Sequence, residues 1–172
     1  SFPEVYTDEC GGYEYYIVDF WSYYDFDYKV DANGNIHILM SVVPSDDYYV
    51  FWIEGAGWYH FSVGQDEILA NGNDADWNWS QVSDMKDTWI FSANDGSTTV
   101  WQTQASLSFD QEGSDVVWVV LDQMNEYACG EVVDDGGTPE DPCDDLFSYE
   151  GLSEDIFVYK SDDGGATWWN GL

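Results

Sequence analysis

The ten residues Lys160–Trp169, KSDDGGATWW, constrain the backbone more tightly than any other stretch of this 172-residue chain. Ser161, Asp163, Gly165, Thr167 and Trp168 stand in the spacing S-x-D-x-G-x-T-W. The Asp163 carboxylate can accept from backbone N–H groups two or three residues on, and Gly165 tolerates the positive φ that a tight hairpin needs. Thr167 suits an outgoing strand, and Trp168 can fold back as an apolar plug under the turn. The stretch specifies a β-hairpin and so requires strands on both sides.

Elsewhere, apolar and aromatic residues come in short runs broken by Gly, Asn and Asp, and hardly any segment has a helical period. Strands are predicted at Tyr13–Trp21, Asn35–Val43, Tyr48–Ile53, Trp58–Val63, Thr88–Ser92, Thr98–Phe109, Asp115–Leu121 and Asp155–Ser161. Alternation is clearest in IHILM, with Ile36, Ile38 and Met40 on one face and His37 and Leu39 on the other. VVWVVL is apolar on both faces and reads as a central strand buried between neighbours. Asp31–Asn35, DANGN, joins DYKV to IHILM through Asn33-Gly34, a strong hairpin signal. Glu54–Gly57, EGAG, joins YVFWI to WYHFSV. Residues 65–83 and 130–145, rich in Gly, Asn, Asp and Pro, read as insertions within a single all-β domain spanning 1–172.

The S-x-D-x-G-x-T-W spacing resembles the Asp-box, the hairpin turn repeated through sialidase-like (BNR-repeat) β-propellers. VDANGNIHILM, followed by a hairpin ending in GxGW, is similar to blades of that family, in which a D-x-x-G-N turn leads into an I/V-H-I/V strand. Ser92–Thr99, SANDGSTT, resembles a degraded Asp-box with Thr99 where Trp belongs. On this likeness Gly34, Gly96 and Gly165 mark corresponding turns roughly 60 to 70 residues apart, against ~40 to 50 for a plain four-stranded blade. The implied fold is a set of antiparallel blades of an incomplete sialidase-like β-propeller, with material for roughly three blades where closure needs about four. A compact β-sandwich carrying an Asp-box hairpin is the alternative. The Asp-box ends four residues before Leu172, so the expectation is a segment of a longer protein. The resemblance extends to the large exported propeller proteins of Bacteroidota-type bacteria, which implies a substrate of a dedicated protein secretion system.

Charge narrows the partners. Thirty-five acidic residues face only Lys29, Lys86 and Lys160, with no arginine, for a net charge of −32. With 44% hydrophobic and 19% aromatic residues the chain is no disordered acidic tail. Its surface repels phosphate backbones and anionic headgroups, so neither nucleic acid nor a simple membrane surface is an expected partner, and no apolar run approaches a membrane span. Divalent cations, cationic partners or a saline habitat suit it. Cys129 and Cys143 bracket a turn-rich loop that a disulfide can close, and Cys10 can pair with either instead. The expected setting is oxidising: extracellular or at the cell surface.

Sialidases grip a sugar carboxylate with three arginines, because a planar guanidinium makes paired bonds that lysine cannot copy. This chain has none, so no catalytic residue is assigned to it. His37 and His60 lie on predicted strands and can form a metal or catalytic pair only if those strands are neighbours; satisfied histidines on a sheet face are the plainer reading. Asp74, Asp76 and Asn78 follow a D-x-D-x-N pattern of hard oxygen ligands that suits Ca²⁺, though the glycine and terminal glutamate of an EF-hand loop are missing. Trp77 and Trp79 alternate in a polar segment and are the candidates for an exposed glycan-stacking platform; Trp168 is structural. The functional expectation is a non-catalytic secreted or cell-surface module that binds other extracellular proteins or glycans. A glycoside hydrolase fragment with its catalytic residues outside the chain, or a subunit of an extracellular filament, are the alternatives.

Overall fold

Asp-organised hairpins at Asp31–Asn35 and Ser161–Trp168 each close two strands of a larger sheet. A computed structural model describes residues 5–8, 13–16, 19–45, 57–84, 90–91, 98–99, 105–110, 115–124, 130–134, 146–149 and 154–170. In chain order, β1 (Val5–Asp8) and β2 (Tyr13–Tyr16) pair with each other. A four-stranded sheet follows, in which β3 (Asp19–Val30), β4 (Ile36–Ser45), β5 (Gly57–Val63) and β6 (Asn78–Asp84) lie in sequence order. Helix α1 (Gln65–Asn71) and a 3₁₀ turn (Gly72–Asp74) connect β5 to β6. The short strands β7 (Ile90–Phe91) and β8 (Thr98–Thr99) pair next. The second four-stranded sheet begins with β9 (Ala105–Phe109) and β10 (Val117–Met124), is interrupted by the pair β11 (Gly130–Asp134) and β12 (Leu146–Tyr149), and resumes with β13 (Glu154–Ser161) and β14 (Trp169–Asn170). Among the described residues all pairings are antiparallel and there is little helix, so the fold is all-β.

Register decides which face each residue takes, since directly opposed residues share a face. On the first sheet one set of rows is Asp27–Leu39–His60–Ser80 and Lys29–His37–Ser62–Asn78. The other set is Phe26–Met40–Tyr59–Gln81, Tyr28–Ile38–Phe61–Trp79 and Val30–Ile36–Val63. The first set faces the second sheet. Leu39, Trp58 and Val82 meet Leu107, Val117, Val119, Leu121 and Tyr159 in one core, with Phe157 and Trp168 packed against it. Leu39, Leu107, Val119 and Leu121 have no exposed surface, and burying each such side chain contributes about 1.5–3 kcal/mol. Asp27 ties the sheets at their edge: its carboxylate accepts the Leu107 N–H at 2.8 Å and the Lys29 ammonium at 3.2 Å.

Several expectations are corrected. VVWVVL is central, between β9 and β13, but Val117, Val119 and Leu121 are buried while Val120 is 37% exposed, so only one face is covered. Residues 13–16 pair with β1, and the sheet strand begins anew at Asp19. Residues 65–83 are not wholly insertion: 65–71 form a helix that hydropathy gave no hint of, and Asn78–Asp84 is the fourth strand of the first sheet. Gly34 and Gly165 do not mark corresponding turns. The first joins strands one and two of its sheet, the second joins strands three and four. β11, inside the predicted insertion 130–145, pairs antiparallel with β12 just beyond it, and both lie in sequence between the adjacent strands β10 and β13. The predicted strand 48–53, most of the EGAG turn, residues 92–97 of the degraded Asp-box and Cys10, Cys129 and Cys143 lie outside the described residues.

Candidate functional site

Polar side chains collect where the two sheets meet, at the ends of both hairpins. In the second sheet, Asp163 organises the turn after β13. Its Oδ1 accepts the N–H of Ala166 at 3.0 Å and of Thr167 at 2.9 Å, and the Ser161 hydroxyl at 2.7 Å. Its Oδ2 accepts the Thr167 hydroxyl at 2.7 Å. The acceptance reaches three and four residues on, one further than expected from spacing alone. Ser161 Oγ is buried and accepts the Gly165 N–H at 2.8 Å. The hydrogen bonds from Thr167 and Ser161 hold the Asp163 carboxyl well below the usual carboxylate range, at about 2. Gly165 has φ +94°, and a Cβ there would overlap the His60 ring on the opposite sheet. Glycine is required at that position twice over.

Trp168 reaches beyond its own turn. Its ring packs edge-on to His60 with centroids 5.4 Å apart, and its Nε1–H donates to Ser80 Oγ at 2.8 Å. Ser80 in turn donates to the Gly165 carbonyl. The Gly164 N–H donates to the Asp115 carbonyl at 2.7 Å, fixing the turn to the segment before β10.

The facing hairpin uses the same device. Asp31 Oδ1 accepts the N–H of Asn33 and of Asn35, each at 2.8 Å, and Oδ2 accepts the Asn35 amide at 2.8 Å. Gly34 takes φ +84°. Burial alone would raise the Asp31 carboxyl, but hydrogen bonds from Asn35, Asn33 and His37 together hold it below its ordinary value. From Asp31 a chain of contacts runs inward: Asp31 Oδ2 to His37 Nε2 at 3.5 Å, then His37 Nδ1 to His60 Nε2 at 2.9 Å. It ends with the other His60 nitrogen bonding the Gly165 carbonyl.

The pair of strands β4 and β5 thus brings His37 and His60 together, both almost completely buried. Burial pushes both imidazoles below their ordinary pKa. His60 falls to about 4 through burial and the neighbouring His37, and Asp31 only partly opposes the shift of His37. Both rings are therefore neutral near pH 7 and supply one N–H each. Three contacts then compete for two protons. The Asp31–His37 contact, at 3.5 Å, is the longest and weakest of the three. A cleft of about 230 Å³ opens beside it, lined by Asp31, Asn35, Ser62, Asn78, Asp115 and Gly164. The seam's evident work is to lock two sheets through their turns.

The other predicted site residues fall apart from this seam. Asp74 ends the 3₁₀ turn, the Asp76 N–H donates to Glu67 Oε1 at 3.2 Å, and Asn78 opens β6. Among the described residues no three His, Cys, Asp or Glu side chains are grouped as a metal would need. Trp77 and Trp79 are 40% and 53% exposed, and Trp79 lies 5.9 Å from the Tyr59 ring. Sequence reading missed Asp31 and Ser80. The Asp at the start of DANGN was visible as a turn former, but its distance from His60 and Gly165 depends on sheet packing that no local pattern encodes. No protein-family model, curated protein or solved structure matches this chain.

Proposed function

We propose that the chain is a non-catalytic extracellular binding or structural module whose two four-stranded sheets are blades of a sialidase-like β-propeller. One observation carries the reading: the S-x-D-x-G-x-T-W turn joins strands three and four of a four-stranded meander, with Asp163 bonding the backbone and Trp168 packed against the inter-sheet core. The polar residues at the seam are engaged in holding turns, and the missing arginines remove the carboxylate grip of a sialidase. Exposed Trp77 and Trp79 offer rings for glycan stacking, and Asp74, Asp76 and Asn78 remain the proposed place for Ca²⁺. Incubation with a panel of fluorogenic glycosides, sialosides included, is expected to release fluorophore at the blank rate. Turnover that His37→Ala abolishes would overturn the non-catalytic reading. Glycan-array binding that persists unchanged in Trp77→Ala and Trp79→Ala would remove the proposed platform.

A further inference from the structure

Three Asn–Gly pairs occur in the chain, Asn33–Gly34, Asn71–Gly72 and Asn170–Gly171. In such a pair the glycine backbone nitrogen, with no side chain to shield it, can attack the asparagine carboxamide carbon and close a five-membered imide. The reaction depends on how free the carboxamide is and how firmly the glycine N–H is held.

At Asn71 the carboxamide donates to Glu67 Oε1 and the Gly72 N–H donates to the Ile68 carbonyl, so helix α1 engages both reacting groups. The related pair Asp163–Gly164 is protected in another way. Asp163 is an ionised carboxylate, a poor electrophile with no amine to expel, and its oxygens accept four hydrogen bonds. The Gly164 N–H is tied to the Asp115 carbonyl at 2.7 Å. Asn33 differs from both. It stands exposed at the tip of the first hairpin, and its carboxamide has no hydrogen-bond partner among the described residues. The Gly34 N–H donates to the Asp31 carbonyl at 3.1 Å, a longer bond closed within the turn itself.

We infer that Asn33 is a self-modification site, which deamidates through Gly34 and, on reopening as isoaspartate, releases the first hairpin from the inter-sheet seam. The Gly34 nitrogen loses its proton to hydroxide and attacks Asn33 Cγ. The N–Cγ bond forms, the Cγ–Nδ2 bond breaks, and the nitrogen leaves as ammonia with a proton from water. Water then opens the imide. Cleavage of the new N–Cγ bond leaves an ordinary aspartate at position 33. Cleavage at the α-carbonyl leaves isoaspartate, whose main chain runs through Cβ and Cγ. In sum a carboxamide and water become a carboxylate and ammonium, with no oxidant or cofactor.

The second product is the consequential one. Asp31 Oδ1 accepts the N–H groups of Asn33 and Asn35 together, each at 2.8 Å. An extra backbone carbon between those two groups takes them out of reach of a single oxygen. The loosened Asp31 then gives up its contact with His37, and the seam rests on the second hairpin alone. This chemistry does not depend on the propeller reading.

Ageing the full chain in mildly alkaline buffer, followed by peptide mapping and isoaspartyl methyltransferase labelling, tests the order of reaction. Deamidation at Asn33 is expected to run several-fold faster than at Asn71, with no isoaspartate at Asp163. The form with isoaspartate at position 33, separated by anion exchange, is expected to melt about 2–4 °C below the unaged chain, the shift that one lost hydrogen bond gives a protein of this size. Asn33→Gln, which would have to close a slower six-membered ring, is expected to melt like the parent when fresh and to age without that shift. An Asn33 that reacts no faster than Asn71, or an isoaspartate form that melts with the unaged chain, would overturn the inference.

Discussion

The hairpins at Asp31 and Asp163 use one device in two environments. Each aspartate accepts two backbone N–H groups and one side-chain donor from further along its own turn, and each turn needs a glycine at positive φ. They differ in what faces the other sheet. At the first hairpin it is the carboxylate itself, which approaches His37; at the second the carboxylate is exposed and the backbone of Gly165 and the ring of Trp168 make the crossing. An exposed carboxylate can be tuned by local bonds alone. A partly buried one must also overcome its own desolvation.

Glycine substitution separates the two turns most sharply. At Gly165 an alanine meets both the positive φ and the His60 ring, which is packed on all sides, so Gly165→Ala is expected to destabilise by about 2–5 kcal/mol in urea titration. At Gly34 the nearest obstacle is the Gln65 side-chain oxygen, 2.7 Å from where an alanine Cβ would stand, and a glutamine end can swing away. Gly34→Ala should therefore cost only the backbone term, about 1–2 kcal/mol. Equal losses at the two glycines would mean that the His60 contact is soft.

Acid should dissolve the seam before it dissolves the turns. His60 is lowered from 6.5 to about 4 in the folded chain, so the unfolded chain takes up its proton first as pH falls. The stability it contributes is complete above about pH 6.5 and is lost towards pH 4, on the order of 3 kcal/mol at most. His37 shifts in the same direction. Asp163, lowered from 3.8 to about 2, contributes stability that is complete above 3.8 and lost only below it. Denaturation midpoints measured from pH 8 to 2 should fall in two stages. His60→Gln should flatten the upper stage and leave the lower one; a variant with the parent's full slope between pH 6.5 and 4 would contradict the neutral, buried assignment.

Removing the acceptor itself is a smaller change. Asp163→Ala leaves the Ala166 and Thr167 N–H groups to water, and exposed caps of this kind are worth about 1–2 kcal/mol. Asp163→Asn keeps one acceptor oxygen and should recover part of that in the same thermal melt.

What could be read from the chain beforehand follows the range of the forces involved. The hairpins were legible because turn chemistry is local: Asp163 and Gly165, or Asp31 and Gly34, lie within four residues of the groups they serve. Strand identity was legible wherever polarity alternated, as in β4. Helix α1 was hidden because it has no buried face: QDEILAN is amphipathic over too short a length, and none of its residues is buried. The His37–His60 pair was an open conditional in the sequence, decided only by β4 and β5 being neighbours. Ser80 gave no signal, since its partners lie more than eighty residues away.

The contact through Ser80 gives the finest test of how the second hairpin is attached. Trp168→Phe keeps an aromatic plug but removes the Nε1–H that donates to Ser80 Oγ, and Ser80→Ala removes the acceptor. Each change alone is expected to cost about 1 kcal/mol, since a neutral hydrogen bond contributes about that net. Ser80 also donates to the Gly165 carbonyl, so Ser80→Ala should be the costlier of the two. If the indole–hydroxyl bond carries the attachment, the double variant will be more stable than the sum of the singles predicts, by about 0.5–1 kcal/mol in a double-mutant cycle. No coupling would place the whole of Trp168's contribution in its ring, packed against His60 and the core, and would make the second hairpin an apolar anchor where the first is a polar one.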